Sequence, residues 1–131
     1  MWFLNPWCIG PGLARWLRVN LPRGSTILEL GSGAGTAWLT RHWTVVSVEH
    51  DPRFLGRHGS RYIHAPIRDG WYDTEVLARE LPRRYDLLLV DGPPKRIGRR
   101  PLLDHLHLFR SDTWIIVDDV NRVREHLSLI H

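Results

Sequence analysis

Cysteine is almost absent from this 131-residue chain, and long apolar runs are absent altogether. With Cys8 as its only thiol, the chain has neither an intrachain disulfide nor a cysteine-rich zinc site. No apolar stretch approaches the ~20 residues that a membrane-spanning helix needs. The start of the chain also lacks the basic and apolar segments of a secretory signal, so we expect a cytoplasmic protein.

Lysine is nearly absent as well: the chain has 17 arginines but only one lysine, Lys95, and a formal net charge of +4. A basic balance suits nucleic acid or an anionic substrate. The arginines are scattered along the sequence rather than gathered in one block, which favours a solvated surface over a nucleic-acid interface. With 43% hydrophobic residues, we expect one globular domain over residues 1–131.

One stretch combines an apolar run, a carboxylate and closely spaced glycines. Residues 27–30 include Glu29 and are followed by Gly31, Gly33 and Gly35. This pattern predicts a strand, a tight turn and the start of a helix, because glycine accepts positive φ and lets a ligand approach the backbone. The helix start offers free N–H groups and the positive end of a dipole, so the turn can seat a nucleotide-like ligand.

Apolar strands alternate with helical segments along the rest of the chain. Strands are predicted over residues 26–30, 44–49, 61–65, 85–91 and 113–117. Helices are predicted over residues 11–20, 36–42, 51–59, 74–81, 101–109 and 120–129, and a loop over 66–73. The alternation predicts an α/β fold, a doubly wound and mostly parallel Rossmann-like sheet with strand order 3-2-1-4-5.

Four pieces of the sequence resemble class I S-adenosylmethionine-dependent methyltransferases, in the order that family has them. Glu29-x-Gly31-x-Gly33-x-Gly35 resembles the first motif, and residues 48–52 resemble the second. Residues 90–94 resemble the fourth motif, and residues 116–119 resemble the fifth strand of small-molecule O-methyltransferases. The resemblance covers about residues 24–120 and implies S-adenosylmethionine as the cofactor.

The resemblance implies a cofactor site at the carboxyl ends of the strands. Glu29 would lie near the methionine ammonium group, and Glu49 would accept the ribose hydroxyls in charge-assisted hydrogen bonds. The adenine would lie near His50 and the end of the third strand. The cofactor-binding residues predicted in this way are Glu29, Gly31, Ser32, Gly33, Gly35, Glu49, His50, Ala65 and Asp91.

The predicted catalytic residues are Asp91 and Lys95, in the loop after the fourth strand. Lysine can be desolvated into a base, which arginine cannot. Asp91, Asp118 and Asp119 stand at the ends of the fourth and fifth strands, and three carboxylates there suit Mg²⁺ or another divalent cation. The alternative stays open that Asp91 orients the substrate and that Asp119 or Asn121 caps the last helix.

The sequence leaves three functions open. The favoured one is methylation of a hydroxyl on a small molecule, which the arginines of residues 96–100 would hold if it is anionic. The others are a non-catalytic remnant that binds the cofactor or a partner, and a nucleic-acid methyltransferase.

Class I enzymes usually continue with two more strands, but only twelve residues follow Asp119. We therefore expect the sheet to lack those last two strands. Its fifth strand would then be an edge, which either the final helix covers or a second chain pairs with in a homodimer.

Overall fold

The computed structural model describes residues 10–94, 100–118 and 127–130. Its strands are β1 Thr26–Leu30, β2 Thr44–Glu49, β3 Arg61–His64, β4 Ile67–Arg68, β5 Trp71–Tyr72, β6 Leu87–Val90, β7 Trp114–Asp118 and β8 Leu127–Ile130. Its α-helices are α1 Pro11–Asn20, α2 Ala34–Thr40, α3 Thr74–Glu80 and α4 Pro101–Asp104, with 3₁₀ turns at Pro52–Phe54 and Leu106–Leu108. Among the described helices, none has the length and apolar character needed to cross a bilayer.

Six strands form the main sheet, in the order β3-β2-β1-β6-β7-β8. The first five are parallel, which confirms the predicted Rossmann-like sheet and its order. Leu30 of β1 pairs with Val48 of β2 on one side and Val90 of β6 on the other. The carboxyl ends of these three strands therefore lie together where the strand order reverses, which is where open α/β sheets bind ligands.

The end of the chain differs from its prediction. The sequence predicts a helix over residues 120–129, whereas Leu127–Ile130 form a strand antiparallel to β7; residues 119–126 lie outside the described part. Pairing with β8 satisfies backbone groups that an open edge would leave exposed. The sheet is therefore one strand wider than predicted, and β8 occupies the edge through which a homodimer is expected.

The connection between β2 and β3 is a loop rather than the predicted helix over residues 51–59. Asp51 caps its one 3₁₀ turn by accepting the N–H of Arg53 at 2.9 Å. Gly56 and Gly59 then have φ of +74° and +81°. This left-handed conformation cannot continue a right-handed helix, so the helix ends after one turn.

Residues 66–73, predicted as a loop, contain the hairpin of β4 and β5. Asp69 and Gly70 at its tip both have positive φ, 55° and 84°. An Asp-Gly pair in this conformation is typical of a type I′ turn. The hairpin brings Trp71 and Tyr72 into the core, where both side chains are buried.

Two apolar clusters cover the opposite faces of the sheet. Ile27 of β1 packs in the cluster that buries α1 and α2, whereas Leu28 and Leu30 pack in the cluster that buries the hairpin, α3 and α4. Side chains alternate between the faces along a strand. Glu29 therefore shares the face of Ile27, which α2 covers.

The ends of β1 and β6 approach so closely that glycine follows each of them. Gly31 has φ of +93°, and a Cβ there would lie 2.9 Å from the Cα of Gly92. A Cβ on Gly92 would lie 2.9 Å from the Cα of Gly31. Since both neighbours are backbone atoms, no flexible side chain can give way. This contact fixes the distance between the glycine turn and the loop that carries Asp91.

We expect Gly31→Ala to destabilise the protein more than Gly24→Ala, with both measured by urea unfolding. Gly24 has φ of +86°, and a Cβ there would meet nothing within 4 Å. It therefore reports the cost of positive φ alone, about 1 kcal/mol. Gly31→Ala adds a backbone overlap, for a total of about 2–4 kcal/mol. Equal losses in the two variants would contradict the close packing.

Candidate functional site

The carboxylate of Glu49 lies against the glycine turn. Its Oε1 accepts the N–H of Ser32 at 3.0 Å, and its Oε2 accepts the N–H of Asp51 at 2.8 Å. The same Oε2 is 3.1 Å from Nδ1 of His50. Glu49 is only 3% exposed, so its position at the end of β2 is fixed by these contacts. The structure thus brings together three of the predicted site residues, Ser32, Glu49 and His50.

The turn is open over Gly33, where a Cβ would meet nothing within 4 Å. Two N–H groups of the turn, which precede the helix, already have partners within the protein. The N–H of Ser32 is bonded to Glu49, and the N–H of Gly33 donates to Oγ1 of Thr36 at 3.0 Å. A ligand over Gly33 would therefore meet an open surface beside a carboxylate. Gly35 lies one residue inside α2.

Glu29 lies beneath the turn, not on its surface, and is 3% exposed. Its Oε1 accepts hydrogen bonds from the hydroxyls of Thr36 and of Ser47, the latter at 2.8 Å. Burial raises the pKa of Glu29 to about 8; the two hydrogen bonds oppose this shift, and the charges of Asp91 and Glu49 add to it. The carboxyl is therefore mostly protonated at neutral pH, and it reaches the turn through Thr36.

Hydroxyl groups tie the turn and Glu29 to the neighbouring strands. Ser47 Oγ, bonded to Glu29, lies 2.6 Å from Ser60 Oγ. Ser32 Oγ lies 2.8 Å from the hydroxyl of Tyr62 in β3. The turn is therefore held by β2 through Glu49 and by β3 through Tyr62.

The hairpin forms the neighbouring part of the site. The hydroxyl of Tyr72 packs against Gly92, where an added Cβ would lie only 2.5 Å from it. The Tyr72 ring contacts the ring of His50 edge-on, with 6.5 Å between the ring centroids. Ala65, predicted near the adenine, is fully buried, and its N–H donates to the Glu49 backbone carbonyl at 3.0 Å. Ala65 therefore presents no surface to a ligand, whereas His50 is only half-buried.

The predicted catalytic and metal-binding residues are described only in part. The register of β6 and β7 places Asp91, which is exposed and follows β6, level with Asp118, the last residue of β7. Lys95 and Asp119 lie outside the described residues, as does the side chain of Asp118. Within the described part of the chain, no three His, Cys, Asp or Glu side chains are grouped as metal ligands.

Sequence reasoning missed the residues that support this site. Thr36 and Ser47 hold Glu29, Tyr62 holds Ser32, and Tyr72 packs beside Gly92. Ser47 carried a usable signal, because it is a polar residue between the buried valines of β2. The tyrosines carried none, since an aromatic residue in a short strand is typical of core packing.

Solved structures with a similar fold include a methyltransferase. MycE methyltransferase from the mycinamycin biosynthetic pathway, in complex with Mg and SAH, matches with a TM-score of 0.53 and 18% identity over 85% of this chain and 31% of that one. The structure of its complex with Mg, SAH and mycinamycin VI matches with a TM-score of 0.52 and 19% identity, over 83% of this chain and 33% of that one. The structure of YjhP from E. coli matches with a TM-score of 0.53 and 18% identity, over 89% of this chain and 51% of that one. Neither a family model nor a curated protein matches the sequence.

These matches confirm the predicted architecture: the chain has the fold of class I S-adenosylmethionine-dependent methyltransferases. At identities below 20%, the similarity shows the fold alone. The chain spans about a third of the MycE structures and about half of YjhP.

The buried carboxyl of Glu29 predicts that stability falls as pH rises from about 5 to 8. Its folded-state pKa of about 8 lies above the value of 4.5 for an unperturbed glutamate, so the folded protein holds a proton that the unfolded chain releases. The loss is absent below the unfolded pKa and complete above the folded one. We expect it to reach a few kcal/mol, measured as the urea midpoint against pH.

Glu29→Gln is the matched variant for this measurement. Both hydroxyls donate to the same oxygen, Oε1, so the single carbonyl oxygen of glutamine can accept both. The variant should lose most of the decline in stability between pH 5 and 8. Parallel curves for the two proteins would show that Glu29 is ionised throughout and would contradict its burial.

Proposed function

We propose that this chain binds S-adenosylmethionine at the glycine turn and transfers its methyl group to a hydroxyl of a small molecule. The position of the Glu49 carboxylate carries the proposal, 3.0 Å from the N–H of Ser32 and beside the open side of Gly33. Oε1 of Glu49 accepts one backbone N–H and has a further lone pair, whereas Oε2 accepts the N–H of Asp51 and also faces Nδ1 of His50. Oε1 can therefore also accept a ribose hydroxyl.

The charge around the turn favours a cationic ligand. Asp51 is paired with Arg53, but Glu49 ends β2 and Asp91 follows β6, so two further carboxylates gather at this edge of the sheet. They would repel a pyrophosphate but attract the ammonium and sulfonium groups of S-adenosylmethionine. The presence of SAH in both MycE structures supports the same ligand class for this fold.

Glu49→Gln should weaken the binding of S-adenosylhomocysteine at least 10-fold by isothermal titration calorimetry. The variant keeps the size of the side chain but removes its charge and one acceptor oxygen, and hydrogen bonds to charged groups contribute about 1.5–3 kcal/mol. Glu75→Gln, at an exposed position of α3, is the matched control and should bind as the wild type does. Thermal melts would verify that both variants fold.

Unchanged affinity in Glu49→Gln would contradict the proposed ribose contact. If titration with S-adenosylmethionine or with its demethylated product gives no heat of binding, S-adenosylmethionine is not the cofactor.

For the transfer step, we propose that Asp91 orients the acceptor and Lys95 takes its proton. S-adenosylmethionine supplies an already activated methyl group, so the protein's main work is alignment. We propose that Asp91, Asp118 and Asp119 hold a divalent cation, which would lower the pKa of the acceptor hydroxyl. The level positions of Asp91 and Asp118 at the carboxyl ends of neighbouring strands support this site, as does the Mg in the MycE structures.

The metal proposal predicts that methyl transfer to a catechol such as 3,4-dihydroxybenzoate depends on Mg²⁺. Formation of S-adenosylhomocysteine should fall at least 10-fold with EDTA and recover when Mg²⁺ is added. Asp91→Asn should lower it similarly, and Asp104→Asn, exposed in α4, should not. An equal rate of methyl transfer with and without EDTA would contradict a role for a divalent cation. Cofactor binding without turnover on any hydroxylated acceptor would favour the non-catalytic alternative.

A further inference from the structure

The fold collects arginines that are scattered in the sequence. One arginine lies three or four residues ahead of each of the five parallel strands; in sheet order these are Arg57, Arg41, Arg23, Arg84 and Arg110. Parallel strands all begin at one edge, so these five residues, the arginine row, follow the amino edge of the sheet. Neighbouring strands are ~4.8 Å apart, and the row therefore extends over roughly 20 Å.

Most of the positive charge of the row is not neutralised within the described residues. Arg23, Arg41, Arg57 and Arg84 are exposed and form no ion pair with a described carboxylate. Arg110 is the exception, because its guanidinium donates to both oxygens of Asp112 at 3.0 and 2.8 Å. Four solvent-facing guanidinium groups are thus available to an anion.

Two surface cavities open beside members of the row. One, of ≈ 390 Å³, is lined by Arg23 together with Arg18 and His42. The other, of ≈ 370 Å³, is lined by Arg84 and Arg110, with Asp86 and Asp112 also on its wall. Asp112 is paired with Arg110, and Asp86 accepts the backbone N–H of Thr26 at 2.8 Å. The first cavity has no carboxylate in its lining and is the more favourable for phosphate.

The row lies at the opposite edge of the sheet from the proposed cofactor site. A five-residue strand such as β1 separates its two ends by about 15 Å, at ~3.3 Å per residue. The carboxylates of Glu49 and Asp91 lie at the carboxyl edge, so the exposed arginines of the row are at the opposite edge from them. An anionic partner on the row would thus leave the cofactor site free.

We propose that the arginine row binds the phosphate backbone of a nucleic acid, at a surface separate from the cofactor site. Phosphates repeat at regular spacing along a strand, as the arginines repeat along the sheet edge. Arginine presents a planar fork of donors that matches phosphate oxygens two at a time. Such contacts position the chain on the nucleic acid without reading its sequence.

The proposal is tested by fluorescence anisotropy with a labelled 20-nucleotide strand and its duplex across a salt series. The variant replaces Arg23, Arg41 and Arg84 with glutamine. The control replaces Arg53, Arg68 and Arg79, exposed arginines outside the row, and lowers the net charge by the same three units. In 100 mM salt, we expect the row variant to bind the labelled nucleic acid at least 10-fold more weakly than the wild type does. The affinity of the control variant should differ from that of the wild type by less than twofold.

The salt dependence gives a second measure. Loss of three phosphate contacts should reduce the slope of log affinity against log salt by about 2–3. Far-UV circular dichroism and thermal melts would verify that both triple variants fold. Equal weakening in both variants, or no binding by the wild type in 50 mM salt, would overturn the proposal. Equally tight binding of polyglutamate would overturn it in favour of an acidic protein partner.

Discussion

One carboxylate joins the two loops on which the candidate site depends. Glu49 accepts the backbone N–H groups of Ser32 and Asp51, so the end of β2 holds both the glycine turn after β1 and the turn after itself. The pairing of Leu30 with Val48 brings the two strand ends level and makes these bonds geometrically accessible. The backbone contact between Gly31 and Gly92 ties the end of β6 to the same unit.

The five parallel strands and their order could be predicted because each is an apolar run bounded by turn residues. The prediction was wrong where the structure depends on a backbone conformation or on strand pairing that a local sequence pattern does not indicate. Asp51 and Pro52 are good helix starters, yet the positive φ of Gly56 and Gly59 ends the helix after one turn. Residues 127–130 became a strand because β7 offers an edge that only the assembled sheet contains.

The carboxylates of the site could be predicted, but their environments could not. Spacing from the glycines was enough to identify Glu49, whereas the burial of Glu29 depends on partners from α2 and β2. Ser47 faces Glu29 because the two are paired in the register of neighbouring strands, which no local pattern reveals. The common edge of the scattered arginines could not be predicted for the same reason, since it exists only once the strands are ordered.

Ligand binding where Glu49 meets the glycine turn can be observed residue by residue in an NMR titration with S-adenosylhomocysteine. The two amides that donate to Glu49, those of Ser32 and Asp51, should shift strongly and saturate together. The amide of Thr26, bonded to Asp86 at the opposite edge, should stay unchanged. Shifts centred on the amide of Thr26, with those of Ser32 and Asp51 unchanged, would contradict ligand binding at the glycine turn.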